Sequence, residues 1–204
     1  MIAIVDYGVG NIFSLYSSFA YIGARASLTS ERAELERADK IVLPGVGAFG
    51  DAAAKLRESG LADVICAEAE KGKPLLGICL GMQMLLEKSF EYGEHKGLAL
   101  IKGEITSVKD VIPAKLKVPH IGWNALRFPA DRKKNELFKY VNEGEHVYFV
   151  HSYHASNCPD VIATSEYGAP LTAAVAKGNV YGAQFHPEKS GEVGLNILRA
   201  FCEI

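Results

Sequence analysis

In the first part of the chain, short apolar runs alternate with stretches where apolar residues return every three or four positions. Ile2 to Val5 is a run of strand type. Ile12, Leu15, Tyr16, Phe19 and Ile22 then mark one face of a helix, with Asn11 as its expected cap and Gly23 as its end. Ala26 to Thr29 predicts a second strand, Ser30 the cap of a short acidic helix, and Lys40 to Leu43 a third strand. Pro44-Gly45-Val46-Gly47 breaks the pattern before an alanine-rich helix that runs to about Glu58. A further helix covers Leu61 to Lys71 and leads into a strand at Leu75, after which Leu80 to Glu87 read as helix. Strands that alternate with helices imply a parallel sheet with right-handed crossovers.

After Gly97 the texture changes. Ile105 to Val108, Trp123 to Phe128, Val147 to His151, Val161 to Tyr167, Leu171 to Ala176 and Asn179 to Phe185 read as strands. Gly168-Ala169-Pro170 and Lys177-Gly178-Asn179 are suited to hairpin turns. Asn196 to Glu203 closes the chain as a helix. The fold class expected is α/β: a doubly wound, mostly parallel sheet with an antiparallel extension, all in one domain over residues 1–204. There is no repeat, linker or low-complexity segment.

Composition narrows the function classes without choosing one. The 204 residues are 49% hydrophobic and 23% charged, with a formal net charge of -2, as in ordinary soluble domains. No run of Lys or Arg suggests a nucleic-acid surface, and Lys133-Lys134 is a solvated pair. No segment approaches the length of an apolar membrane span, and Asp6 interrupts the first strand too early for a signal peptide. Cys66, Cys79, Cys158 and Cys202 form no CxxC pair and no zinc spacing, which fits a reduced cytoplasm and implies no metal.

The chemistry concentrates in Pro74-Leu75-Leu76-Gly77-Ile78-Cys79-Leu80-Gly81-Met82-Gln83. An apolar run ending in a glycine-flanked cysteine before a helix is the cysteine form of a nucleophile elbow, a strand-turn-helix corner that exposes a reactive side chain. The glycines leave room for the helix to pack and the substrate to approach. The helix N-terminus favours a thiolate. An isolated cysteine on a core strand is more often a small buried hydrophobe, and a second element weighs against that reading. His186 and Glu188, in Gln184-Phe185-His186-Pro187-Glu188, are two apart, so on an extended segment they leave the same face. A neutral imidazole there can take the thiol proton while the carboxylate fixes its tautomer. Taken alone, His-Pro-Glu is equally a turn with a surface acid.

In open α/β sheets, sites form at the carboxyl ends of the parallel strands. Asp6-Tyr7-Gly8-Val9-Gly10-Asn11, Pro44 to Gly47 and Cys79 all fall there. Gly8-Val9-Gly10 lacks the third glycine of a dinucleotide fingerprint, and no Gly-Lys-Ser/Thr occurs, so nucleotide binding is rejected and no cofactor is implied. Pro44 to Gly47 has another use besides turning the chain. A tetrahedral intermediate needs two N–H donors for its oxyanion: Leu80, after the nucleophile, supplies one, and Val46 or Gly47 the other.

Gly77 to Gln83 together with His186 to Glu188 resembles the class I (triad) glutamine amidotransferases. Asp6 to Asn11, Pro44 to Gly50 and Pro119-His120-Ile121-Gly122-Trp123-Asn124 narrow the resemblance to the glutaminase subunits of imidazole glycerol phosphate synthases. It spans the chain from first strand to last helix and implies a flavodoxin-like architecture. It implies that Cys79 attacks the side-chain amide of glutamine, with His186 as base and then acid, Glu188 as its carboxylate, and water releasing glutamate from a thioester. By motif position Gly47, Gln83, His151, Ser152 and Tyr153 bind glutamine, with Ser152 where the family often has threonine. The implied partner is a cyclase (β/α)8-barrel subunit in a heterodimer of histidine biosynthesis. That barrel uses the ammonia to make imidazole glycerol phosphate and an aminoimidazole carboxamide ribotide. Trp123, Asn124, Tyr148 and Lys189 are the expected interface. Between two glycines, the Val46 peptide is free to rotate, and the expectation is that the liganded partner turns its N–H toward the site.

Three other readings remain. Glutaminases of pyridoxal phosphate, anthranilate or guanylate synthesis share the triad, but Pro119 to Asn124 argues against them. A cysteine protease on a related fold is disfavoured by Gln83 and the His-Pro-Glu segment. A binding subunit with a decayed site has little room beside intact Cys79, His186 and Glu188.

Overall fold

The computed structural model describes residues 1–204. Its first half winds as β1 (Ile2–Val5), α1 (Ile12–Tyr21), β2 (Ala26–Thr29), α2 (Arg32–Arg37), β3 (Lys40–Leu43), α3 (Phe49–Glu58), α4 (Leu61–Glu70), β4 (Leu75–Ile78) and α5 (Leu80–Leu85). The second half holds β5 (Lys88–Ser89), β6 (His95–Lys96), β7 (Glu104–Ser107), β8 (His120–Arg127), β9 (His146–His151), β10 (Tyr153–Ser156), β11 (Val161–Glu166), β12 (Pro170–Lys177), β13 (Val180–Ala183) and α6 (Gly191–Glu203).

A nine-stranded sheet runs in the order β2-β1-β3-β4-β13-β12-β11-β8-β9. The strands from β2 to β13 in that order are parallel, and β12, β11, β8 and β9 continue the sheet antiparallel. The mixed α/β sheet with its antiparallel extension is the one expected. Every residue of β1, β4 and β13 is buried, because helices cover both faces. Leu35, Leu56 and Ile65 of α2, α3 and α4 pack into one core. Leu15 and Phe19 of α1 and Ile197, Leu198 and Phe201 of α6 pack into the other.

A second sheet, β10-β7-β5-β6, was not foreseen. Its strands β5 and β6 have two residues each, too short to show a period. The Asn11 side chain makes no capping bond to α1. Ser30 lies outside α2, where Thr29 Oγ1 instead accepts from the Glu31 N–H at 3.0 Å. The last helix starts at Gly191, not Asn196. Gly194 hid its first turn, and that glycine is needed because a Cβ there would stand 1.9 Å from the Pro187 carbonyl oxygen.

Candidate active site

Cys79 sits between β4 and α5 with φ 54° and ψ -112°, a left-handed conformation that strains a residue bearing a Cβ. Its N–H donates to the Ala183 carbonyl at 2.7 Å, which ties the corner to the neighbouring strand. The flanking glycines let that corner press onto its neighbours. A Cβ on Gly81 would lie 1.9 Å from the Leu43 oxygen, and one on Gly77 would lie 2.7 Å from the Gly81 oxygen. Gly45, on the facing turn, would meet the Gly81 nitrogen at 2.8 Å. Leu80 is the first residue of α5, so its N–H has no carbonyl to serve within the helix.

His186 arrives from the end of β13, its N–H held by the Tyr148 carbonyl at 3.0 Å. Pro187 to Lys189 form one turn of 3₁₀ helix, not the extended segment expected, with proline at its first positions. The turn still brings His186 Nδ1 within 2.8 Å of Glu188 Oε1, both side chains almost wholly buried. Glu188 Oε2 has no partner, so the carboxylate serves the ring alone. Burial pulls the imidazole down, but the neighbouring Cys79 and the bonded Glu188 carboxylate outweigh it and hold His186 up at about 9. The ring therefore holds a proton more firmly than a free imidazole does.

Cys79, Leu80, His186, Val46, Gly47, Gln83, His151, Ser152 and Tyr153 all line one cavity of about 290 Å³. That volume is at the low end for small-molecule sites (roughly 300–1,000 Å³) and suits one amino acid better than a peptide. The Gln83 amide donates to the Tyr153 carbonyl at 3.1 Å and to Gln184 Oε1 at 3.0 Å. Both amide hydrogens are thus used within the protein, leaving Oε1 for a ligand. His151 reaches the cavity, but its nitrogens are taken by the Tyr153 carbonyl at 2.8 Å and by His120 at 3.0 Å. It shapes the wall without offering a free polar atom.

Sequence reasoning missed Glu91, the one acidic residue on the cavity wall. Its Oε2 accepts from the Phe49 N–H at 2.7 Å, at the start of α3 just beyond the Pro44–Gly47 turn. It comes from the loop between β5 and β6, where no local pattern marks it. Tyr7 was also missed as an anchor: its hydroxyl donates to the Pro44 carbonyl at 2.9 Å. Burial, and then the nearby Cys79, push that phenol well above its ordinary range, so it remains a donor. No cluster of three His, Cys, Asp or Glu is arranged to hold a metal.

Three of the four expected interface residues form one surface. Trp123 is half exposed and packs edge-on to Tyr148 with centroids 6.0 Å apart, and Lys189 Nζ lies 5.9 Å from the Tyr148 ring. Asn124 is not on that face. Neighbours along a strand point to opposite sides, and its Oδ1 lies inward, 2.8 Å from His120 Nε2.

A profile of the family "Glutamine amidotransferase class-I" matches residues 3–203. A relative from Wolinella succinogenes, described as imidazole glycerol phosphate synthase subunit HisH, is 48% identical, with all of both chains aligned. One of the same description from Caldanaerobacter subterraneus subsp. tengcongensis is 46% identical, covering 100% of this chain and 98% of that one. Among solved structures, PurLQS from Thermotoga maritima superposes with a TM-score of 0.76 at 22% identity, covering 99% of this chain and 97% of the other.

Proposed function

Because the chain belongs to the class I glutamine amidotransferases, we infer that Cys79, His186 and Glu188 are the triad with which it hydrolyses glutamine. It is the glutaminase subunit of an imidazole glycerol phosphate synthase. The observation that carries the residue assignment is the strained, buried cysteine and the 2.8 Å His186–Glu188 pair on one cavity of single-amino-acid size.

Glutamine enters with its α-ammonium toward Glu91 and its carboxylate toward Ser152. The Cys79 thiolate attacks the side-chain amide carbon. The resulting oxyanion rests on the Leu80 N–H and on an N–H from Val46 or Gly47; losing one such donor costs roughly a hundredfold to a thousandfold in rate. His186, already protonated, gives its proton to the departing ammonia, which leaves a glutamyl thioester. The ring, now neutral, takes a proton from water as its oxygen attacks the thioester. Glutamate departs, and the thiolate–imidazolium pair is restored.

The partner we propose is a (β/α)8-barrel cyclase docked over Trp123, Tyr148 and Lys189, which consumes the ammonia. The Val46–Gly47 peptide turns its N–H inward when that partner is liganded, so glutamine is not wasted. Residues 1–204 act as one glutamine amidotransferase domain. Its cysteines are unpaired, which supports a cytoplasmic setting. No helix is long and apolar enough to cross a membrane.

Glutamate release by the chain, alone and with the liganded cyclase, tests this reading, with Cys79→Ala as control. Release that needs the partner and vanishes in the variant is expected. Turnover surviving in Cys79→Ala would overturn the triad, and full turnover without the partner would overturn the gating.

A further inference from the structure

One buried chain of polar groups is used by none of these steps. Asn124 Oδ1 lies 2.8 Å from His120 Nε2, His120 Nδ1 lies 3.0 Å from His151 Nε2, and His151 Nδ1 lies 2.8 Å from the Tyr153 carbonyl. The other end of the Asn124 amide lies 3.0 Å from the Glu166 carbonyl. The Tyr153 carbonyl is shared with Gln83, so the chain ends at the glutamine cavity. His120 has no exposed surface, and its ring stacks on Tyr167 at 4.1 Å and on Phe149 at 5.0 Å.

The protons along this chain can be counted. A carbonyl only accepts, so His151 carries its proton on Nδ1 and turns a lone pair toward His120. The contact between the rings then needs a proton on His120 Nδ1, which leaves His120 Nε2 bare. If Asn124 also presented its oxygen, three contacts between two acceptors would need three protons, and two neutral rings hold two. Burial keeps the rings neutral: it takes His151 down to about 3 and lowers His120 as well. The third proton must therefore come from the Asn124 amide. Turning that amide over sets its oxygen against the Glu166 carbonyl, now 3.0 Å from the nitrogen, but Glu166 is exposed at the end of β11, where a small shift admits a water that donates to both oxygens. A missing proton between two buried rings has no such remedy.

We propose that His120 is a positioning residue for glutamine binding: it accepts from the Asn124 amide, donates to His151, and through His151 fixes the Tyr153 carbonyl that orients Gln83. The proposal rests on the glutaminase reading and adds to it a residue that touches no substrate. The direction of the chain makes it testable. Asn124→Asp keeps the shape but can only accept, which reverses the required polarity. His120→Phe keeps the aromatic stack and removes both nitrogens.

Glutamine hydrolysis by the assembled synthase is the readout, with the unaltered complex run beside each variant. Both variants are expected to raise KM on the order of tenfold while kcat moves much less, since Cys79 and His186 are untouched. Imidazole ¹⁵N spectra of the unaltered chain read the tautomers without any substitution. Protonated Nδ1 on both rings is expected. His120 protonated on Nε2, or an Asn124→Asp enzyme with unchanged KM, overturns the proposal. An unaltered complex that releases no glutamate would instead overturn the glutaminase reading itself.

Discussion

The Cys79 corner and the Pro44–Gly47 turn lie against each other, and both are glycine-rich, yet their glycines do opposite work. Gly77, Gly81 and Gly45 are present because nothing larger fits: each Cβ would sit closer than 3.0 Å to backbone. Gly47 has nothing within 4 Å of where a Cβ would stand, and is there for its φ of +91°. The turn is also tethered at both ends, by Tyr7 on the Pro44 carbonyl and by Glu91 on the Phe49 N–H. One half of the catalytic apparatus is built by close packing and is present before substrate arrives. The other half, on the reading proposed above, is held at its edges by those two bonds, and its centre is where control by a partner would act.

The largest test of that contrast is Gly81→Ala. Its methyl would collide with the Leu43 carbonyl, a backbone atom that cannot step aside. A loss on the order of 2–4 kcal/mol is expected from urea unfolding, with glutaminase activity falling too. A loss below about 1 kcal/mol would show the corner to be softer than its packing implies.

The next effect is smaller and is read by pH. His186 is held up at about 9 by Cys79 and Glu188 against its burial. On the proposed mechanism its proton goes to the departing ammonia, so kcat/KM should be insensitive to this ring through neutrality and fall about tenfold per unit above that value. The sign for stability is the same: a raised value stabilises the fold fully below the ordinary imidazole range, and the contribution is lost as pH rises through about 9. A rate that climbs steadily beyond pH 9 would show that the neutral ring is the working form. The smallest effect belongs to Gly47→Ala. There is space for the methyl, so only backbone strain remains, about 1 kcal/mol in the same unfolding measurement.

What the sequence made legible follows the same division between local and distant causes. The parallel strands and the elbow announce themselves in short apolar runs and glycine spacing, because burial on both faces acts on every residue of β1, β4 and β13. His186 and Glu188 meet as their spacing implies, although not on an extended segment: Pro187 makes a tight turn that brings them together. Glu91 was invisible because its meaning comes from Phe49, 42 positions away, and from strands of two residues. The motif from Pro119 to Asn124 gives His120 no visible role, since its partner His151 faces it only once β8 and β9 pair antiparallel. Asn124 was placed on the docking face with Trp123, although strand alternation by itself puts adjacent residues on opposite sides.

A nucleophile that is preformed and an oxyanion site that is completed only on assembly are separated by two rates measured on one preparation. Alkylation of Cys79 by iodoacetamide needs only the thiolate at the corner, whereas glutamine hydrolysis needs the Val46–Gly47 turn as well. The free chain is expected to be alkylated at Cys79 as fast as in the liganded complex, while hydrolysis rises by a hundredfold or more on assembly, about one oxyanion donor's worth. Alkylation and hydrolysis rising together on assembly would contradict it, because the partner would then be building the nucleophile itself.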